Sequence, residues 1–426
     1  MTRRILVVGF TILSIALQPN RLWAQWQYDG TPVATSLVSK SSPTILSDGN
    51  GGAFIAYHEV PYYPDIFLQR VNSTGKIQWT PKGVPIAVGG DYESPPKMVS
   101  DGGTGLILVW YDRRNFPNYD IYAQRVTASG VVQWTTNGVA ICTATGEQLN
   151  PAITTDGSGG AIITWQDARS GTNDIYAQRI NGSGVVQWAA NGVVMCNATD
   201  SQQYPLMVYD GSGGAIAGWQ DNRAGNMDVY AQRVNASGVM QWAANGVNQM
   251  TGSGVTAGQY LSAMTSDGAG GAIMTWQDYR YGNYDVFAGR VSPAGALLWT
   301  NFGAWLTAGG QDQLSTMIVS DGAGGAIVGW IDSGTDIFAR RIDASGNPMW
   351  ASEGVAVCAA TGTQNTATMI SDGLGGVVVA WQDSRSGTVD IYAQRMDASG
   401  IAQWTPNGVP VCTAPTSQSG AVIASK

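Results

Sequence analysis

The sequence predicts an all-β fold: a β-propeller with seven complete four-stranded blades plus single leftover strands of an eighth at the termini. Three observations carry this. A turn of the form DG.GG returns at Asp48, Asp101 (as DGGTG), Asp156, Asp210, Asp267, Asp321 and Asp372, at intervals of 51 to 57 residues, close to the length of a propeller blade. Between the turns lie short runs rich in Val, Ile, Tyr and Trp, bounded by Gly, Asp, Asn and Ser, with no helical period of useful length. Finally, 56 glycines against only 12% charged residues suit many short strands joined by tight turns.

Each unit reads as four strands in order. Strand A is the run before the turn, as in PAITT from Pro151, and strand B is GAIITWQD from Gly160. Strand C is DIYAQRI from Asp174, and strand D is VVQWAANGVVMC from Val185. The B strands are apolar at consecutive positions, which predicts burial on both faces and fits sheets stacked around an axis. Asp-Gly gives the A-to-B hairpin its positive φ, and ASG, as at 236–238, serves the C-to-D turn. One Trp series recurs on strand D and another on strand B, both read as packing between blades. The repeat units run over about 43–88, 95–142, 151–196, 205–250, 262–307, 316–358 and 367–412.

The ends are less regular. Residues 1–24 read as a secretory signal peptide, with Arg3 and Arg4 before an apolar run from Ile5 to Leu17 and a small-residue cleavage site at Ala24. Residues 25–426 then form one propeller domain. It opens on a lone D-like strand from Gln25 and closes on a lone A-like strand from Ala421, with no B and C strands between them. Two plans fit: an eight-bladed ring with an incomplete last blade, or a seven-bladed ring with two spare strands.

Charge narrows the partners. There are 30 Asp and Glu against 22 Lys and Arg, and losing the leader with Arg3, Arg4 and Arg21 makes the chain more acidic still. Such a surface repels phosphate backbones, so nucleic acid is not an expected partner. No later segment has the roughly 20 apolar residues of a membrane span, so no membrane insertion is expected. The expected location is secreted, extracellular or cell-surface, with the periplasm as the alternative. Cys142, Cys196, Cys358 and Cys412 share one repeat position, too far apart for disulfides, and read as small buried hydrophobes.

The stretch W.D.R.G..DIYAQRV..SG resembles the repeat of TolB-type propellers and of large exported bacterial proteins of uncharacterised role. The likeness covers nearly all of the chain after the leader, although the blades are longer here and no TolB-like N-terminal domain precedes them. The resemblance implies a propeller that binds or scaffolds, and it identifies no catalytic residue.

In the repeated B-to-C hairpin, Arg169 is placed to neutralise both Asp167 and Asp174. The same trio recurs as Asp221, Arg223 and Asp228, and as Asp383, Arg385 and Asp390. These read as structural salt bridges. Gln148 and its counterparts Lys40, Glu93, Gln202, Gln259, Gln313, Gln364 and Gln418 form a second series, read either as backbone ties or as a ring facing a polar ligand. Departures from the repeat are where a unique site would stand. In blade 1, YHEVPYYPD replaces WQDARSGTND and introduces His58, Glu59, Tyr62 and Tyr63. Glu93 lies on a flanking loop, blade 2 adds Phe116 and Tyr119, and blade 5 adds Tyr279 and Tyr281. Loop aromatics beside polar groups suit carbohydrate or peptide.

The expected function is a non-catalytic binding or scaffolding module whose partner is a protein or glycan at the cell surface, acting as a monomer or within a larger surface assembly. The alternative is a carbohydrate-active propeller enzyme, glycosidase or sialidase-like. A lone His58, four Glu and no G-x-S-x-G elbow give no catalytic residue. No cofactor or metal is expected; calcium is allowed by the turns but not indicated.

Overall fold

The computed structural model describes the chain except residues 1–4, 9–10, 15–29, 36–37, 61–62, 251–256, 301, 308 and 426. All regular structure among the described residues is strand. None of it is a helix long and apolar enough to cross a membrane. The seven blades are successive four-stranded antiparallel sheets in strand order A-B-C-D, so the chain is a propeller with seven complete blades. In blade 3 the strands are Gln148–Thr155, Ala161–Asp167, Asp174–Ile180 and Val193–Cys196.

The end strands find the partners that the sequence reading left missing. An eighth four-stranded sheet has Val422–Ser425 innermost and Thr31–Pro32 outermost, with Ile5–Val8 and Thr11–Ser14 between them. The segment read as a leader thus occupies the B and C positions, Ile5 pairing with Ser425 and Thr11 with Pro32. Val422–Ser425 lies against the inner strands of both blade 7 and blade 1, which closes the ring of A strands.

Blade-to-blade burial explains the repeat. Strand B of blade 3 is buried at all seven positions. Its Ala161, Ile163 and Trp165 pack with Ile107, Val109, Trp134 and Cys142 of blade 2. Each fully buried aliphatic side chain contributes about 1.5–3 kcal/mol, so the interfaces between sheets, rather than a central core, hold the ring.

The A-to-B turn is an acid-capped loop. Asp156 Oδ1 accepts from the backbone N–H of Ser158 and Gly160, both at 2.8 Å, while Gly157 and Gly159 take φ of +71° and +89°. The other oxygen of Asp156 binds Arg179 on strand C at 2.9 Å. The guanidinium then reaches forward to the Ala236 carbonyl of the next blade at 3.1 Å, and Trp188 Nε1 meets the same oxygen at 3.1 Å. Six successive junctions carry this double latch, with Arg at 2.8–3.2 Å and Trp at 3.0–3.3 Å. Strand D is shorter than its sequence suggests. The Trp stretch is a turn held by Gln178, whose amide oxygen accepts from Trp188 N at 2.9 Å and whose nitrogen donates to Ala189 O at 2.8 Å.

Candidate functional site

The B-to-C and D-to-A loops share one face of the ring, and the repeated charges on it are structural. Arg169 grips Asp167 with two parallel bonds, 2.8 Å to Oδ1 and 2.6 Å to Oδ2. The Trp165 indole adds a third at 2.7 Å, and the guanidinium lies 3.9 Å over the Tyr176 ring. Arg223 and Arg385 hold Asp221 and Asp383 in the same way. One Arg serves the two carboxylates unequally, the first by a forked ion pair and the second through its charge. Asp174 is hydrogen-bonded by Ser170, Asp228 accepts from Asn226 at 3.1 Å and Asp390 from Ser386 at 2.6 Å. Burial raises the pKa of Asp174 and Asp228, and the charge of Arg169 and Arg223, forked onto the first acid, opposes that rise.

The cysteines join this latch. Cys142 of blade 2 sits 3.1 Å from the Arg169 guanidinium of blade 3. All four cysteines are buried and outside disulfides, and burial pushes Cys142 and Cys196 up to about 12. The amide series is equally inward. Gln148 and Gln202 begin their A strands fully buried and donate to the carbonyls of their own D-to-A loops, so they present no ring to a ligand.

Blades 1 and 2 break the pattern together. Where other blades have Asp and Arg, blade 1 has the buried Glu59, held by Lys82 from its own outer turn and by Lys40 at 4.0 Å. Tyr63 is half-exposed, while Tyr62 lies outside the described residues. His58 is buried against blade 2, hydrogen-bonded to the Ser94 backbone, and its Nε2 has no partner among the described residues. Burial lowers its pKa, opposed by that bond and by Asp65.

In blade 2, Pro95 and Pro96 shorten strand A to Lys97–Ser100, since proline cannot donate to a sheet ladder. The segment Tyr92–Ser94 keeps the repeat's pairing with the end of strand B: Ser94 N donates to Tyr111 O at 2.9 Å and Arg113 N to Tyr92 O at 3.2 Å, as Ala168 N donates to Glu147 O in blade 3. Glu93, facing Asp112, is 2% exposed and its Oε2 is unpartnered among the described residues. Its pKa is pushed up to about 7, first by burial and then by the Asp112 and Asp65 carboxylates. The Gly89-Gly90 turn covers it; a Cβ on Gly90 would collide with the Glu93 carboxylate.

On the same loops three tyrosines cluster, Tyr119 meeting Tyr111 and Tyr92 edge to face at 5.4 and 5.8 Å while Tyr92 and Tyr111 stack at 6.3 Å. Burial and the neighbouring phenols push Tyr111 up to about 12. Arg113 lies 4.4 Å over the exposed Phe116 ring, and neither it nor Lys97 forms an ion pair among the described residues. Sequence reading found Glu93, Phe116 and Tyr119 but missed Tyr92, Tyr111 and Arg113. Arg113 was findable, because it stands where blade 3 has Ala168. Among the described residues no three His, Cys, Asp or Glu side chains gather as a metal site. Blade 5 forms a separate cluster on the same face around the exposed Tyr279 and Tyr281.

The class defined by this architecture is the β-propeller, and no family model and no curated protein matches the chain. Among solved structures, the BP39L lectin from Burkholderia pseudomallei aligns with a TM-score of 0.56 at 9% identity, over 88% of this chain and 100% of that one. A PL25 ulvan lyase, described as bound to -[GlcA(1-4)Rha3S]-, aligns at 0.52 and 13% identity, over 86% and 95%. A puromycin-hydrolysing peptidase from Mycobacterium tuberculosis aligns at 0.50 and 11% identity over 90% of this chain, which spans only 55% of the peptidase. These likenesses are of fold. They correct the expectation of a non-catalytic chain: propellers of this architecture include a polysaccharide lyase and a peptidase alongside a lectin.

Proposed function

We propose that the protein is a carbohydrate-active enzyme that cleaves an anionic polysaccharide at the blade 1–blade 2 junction, by elimination. The observation that carries this is the presence, in one loop cluster, of a buried carboxyl whose pKa is pushed up to about 7 and an Arg that forms no ion pair among the described residues. Elimination from a uronate needs both. A cation neutralises the sugar carboxylate and acidifies the adjacent C5–H, and a base takes that proton. The C4–O bond then breaks, its electron pair leaves with the glycosidic oxygen, and a C4=C5 double bond forms. Arg113 supplies the cation and Glu93 the base. A phenol kept protonated, as burial keeps Tyr111, returns a proton to the leaving oxygen. Phe116 and Tyr119 offer faces on which sugar rings stack. Because Glu93 is 2% exposed beneath the Gly89-Gly90 turn, proton abstraction requires that turn to open.

A hydrolytic pair is less well supplied here, because Glu59 is engaged by Lys82 and Asp112 by Arg114. The ulvan lyase bound to a uronate-containing chain lends the reading a precedent on the same fold. Export to a surface where such polymers occur would agree with it.

The test is incubation with polygalacturonate, alginate and ulvan, following the ultraviolet absorbance of unsaturated uronate ends. Cleavage that is lost in Glu93→Gln and Arg113→Ala, with the fold retained, supports the reading. New reducing ends without unsaturation would replace elimination with hydrolysis, and no cleavage of any acidic polymer overturns the proposal.

A further inference from the structure

Blade 5 carries a second departure from the repeat that the blade 2 chemistry does not use. Its strands are Gln259–Ser266, Ala272–Asp278, Asp285–Val291 and Ala304–Trp305. Six aromatic residues, Tyr260, Tyr279, Tyr281, Tyr284, Phe302 and Trp305, stand where blade 3 has Leu149, Ala168, Ser170, Asn173, Asn191 and Val194. Core demand does not explain them. Tyr281 is 59% exposed and Trp305 44%, and Tyr260, Tyr279 and Phe302 are exposed as well. They group in two sets, Tyr281 with Trp305 at 4.9 Å and Tyr284 with Tyr279 at 5.0 Å and Tyr260 at 6.1 Å.

The loops beneath are fixed. Asn283 donates to the carbonyls of Gly309 and Gln311 at 3.2 and 2.9 Å, and Asp312 accepts from Tyr284 N at 2.9 Å. A set of half-exposed rings on a braced support is an ordered platform, and such rings lose little entropy when something lies on them.

The channel mouth lies between this platform and blade 2. A cavity of about 630 Å³ is lined by A-strand residues of blades 1 to 5, among them Lys97 of blade 2, Asn150 of blade 3, Tyr204 of blade 4 and Ser262 of blade 5. Strand A bulges here in blades 1, 3, 4, 6 and 7, where a non-glycine residue takes positive φ. In blade 4 that residue is Tyr204, at φ +52° and 53% exposed. The bulge belongs to the repeat; what blade 4 adds is an exposed tyrosine ring at the mouth where blade 3 has Asn150. Lys97, exposed on the same wall, gives the cavity a cation.

We infer that the blade 5 platform is a distal subsite for the same polymer, so that an anionic polysaccharide runs from the blade 2 loops across the channel mouth, past Lys97 and Tyr204, to Tyr281 and Trp305. This rests on the proposed function and adds to it that the natural substrate is a long chain, held at two points. Two-point attachment makes the second contact intramolecular, so affinity rises with chain length even though neither contact changes.

The experiment measures binding of polygalacturonate and alginate, each against its own tetrasaccharide, to the Glu93→Gln protein, which holds substrate without turnover. The comparison variants add Tyr281→Ala with Trp305→Ala, or Trp305→Tyr alone. The polymer is expected to bind at least tenfold more tightly than the tetrasaccharide, and the double alanine variant to lose that advantage while keeping tetrasaccharide affinity and thermal midpoint. Trp305→Tyr, which keeps a ring, retains most of it. A polymer advantage that survives the double variant, or equal affinity for polymer and tetrasaccharide, overturns the distal subsite and leaves the blade 2 site standing. Failure to bind either form of either glycan overturns both.

Discussion

Trp134 of blade 2 donates its indole N–H to the Gly182 carbonyl of blade 3 at 3.2 Å, beside the Arg125 guanidinium at 2.8 Å on the same oxygen. The pair is the unit by which one blade fixes the tilt of the next, and it repeats until blade 7. Among the described residues, Trp404 Nε1 there has no partner and the Arg395 guanidinium holds only Asp372. Trp134→Phe is therefore expected to cost about 1 kcal/mol more than Trp404→Phe, the net value of one buried hydrogen bond. Urea midpoints of the two variants measure the difference, and equal losses would mean that these indoles act by packing alone.

Glycine is used at two different strengths in these loops. Gly184 has φ +81° and a Cβ there would stand 2.8 Å from the Trp134 ring, whereas Gly171 has φ +99° with nothing within 4 Å. Gly171→Ala should pay backbone strain alone, about 1 kcal/mol. Gly184→Ala should lose more, about 2–4 kcal/mol, because it also drives the indole off its carbonyl. Thermal unfolding of both variants separates conformational strain from close approach.

The repeat was legible because its physics is local. The DG.GG turns, the buried B strands and the two Trp series each need a particular residue at a particular step, so their period reveals blade number and order. The eighth sheet was not legible, since Ile5–Val8 and Thr11–Ser14 satisfy a leader's apolar pattern and a strand's pairing equally well. The blade 2 site was half visible. Phe116, Tyr119 and Glu93 stand out as departures, whereas Tyr92 and Tyr111 meet through the repeat's ordinary pairing of the A-strand entrance with the end of strand B, which spacing alone does not show. Spacing shows that Arg169 is near both acids, and only geometry shows that its fork is filled by Asp167 while Asp174 feels it through charge.

Blade 1 keeps the buried acid of the hairpin but changes the source of its cation. Glu59, 2% exposed, is held by Lys82 from the outer turn, and the Lys82 ammonium also lies 4.4 Å over the Phe67 ring. Removing this cation weakens the charge balance around a buried carboxylate, and because Lys82 itself is half-exposed, Lys82→Ala should cost about 1–3 kcal/mol. Adding Glu59→Gln should recover at least half of that loss. A double-mutant cycle in urea measures the coupling, and a value near zero would make the pair a surface contact of no consequence.

Glu93 ties stability to the proposed chemistry with opposite signs. Its pKa is about 7 in the fold against 4.5 for the free side chain, so between those values the native state binds more protons than the unfolded one. Stability should fall as pH rises from about 4.5 to 7 and level off above, by roughly 1–3 kcal/mol in total. Cleavage by a Glu93 base should rise over the upper part of the same range as the carboxylate forms. Glu93→Gln should flatten the stability profile, leave the protein more stable than the parent above pH 7, and abolish cleavage. Unfolding free energies from pH 4.5 to 8.5, set beside kcat/KM over the same range, test both arms. A parent whose stability is flat across that window would remove the buried neutral acid, and with it the reason to assign Glu93 the proton.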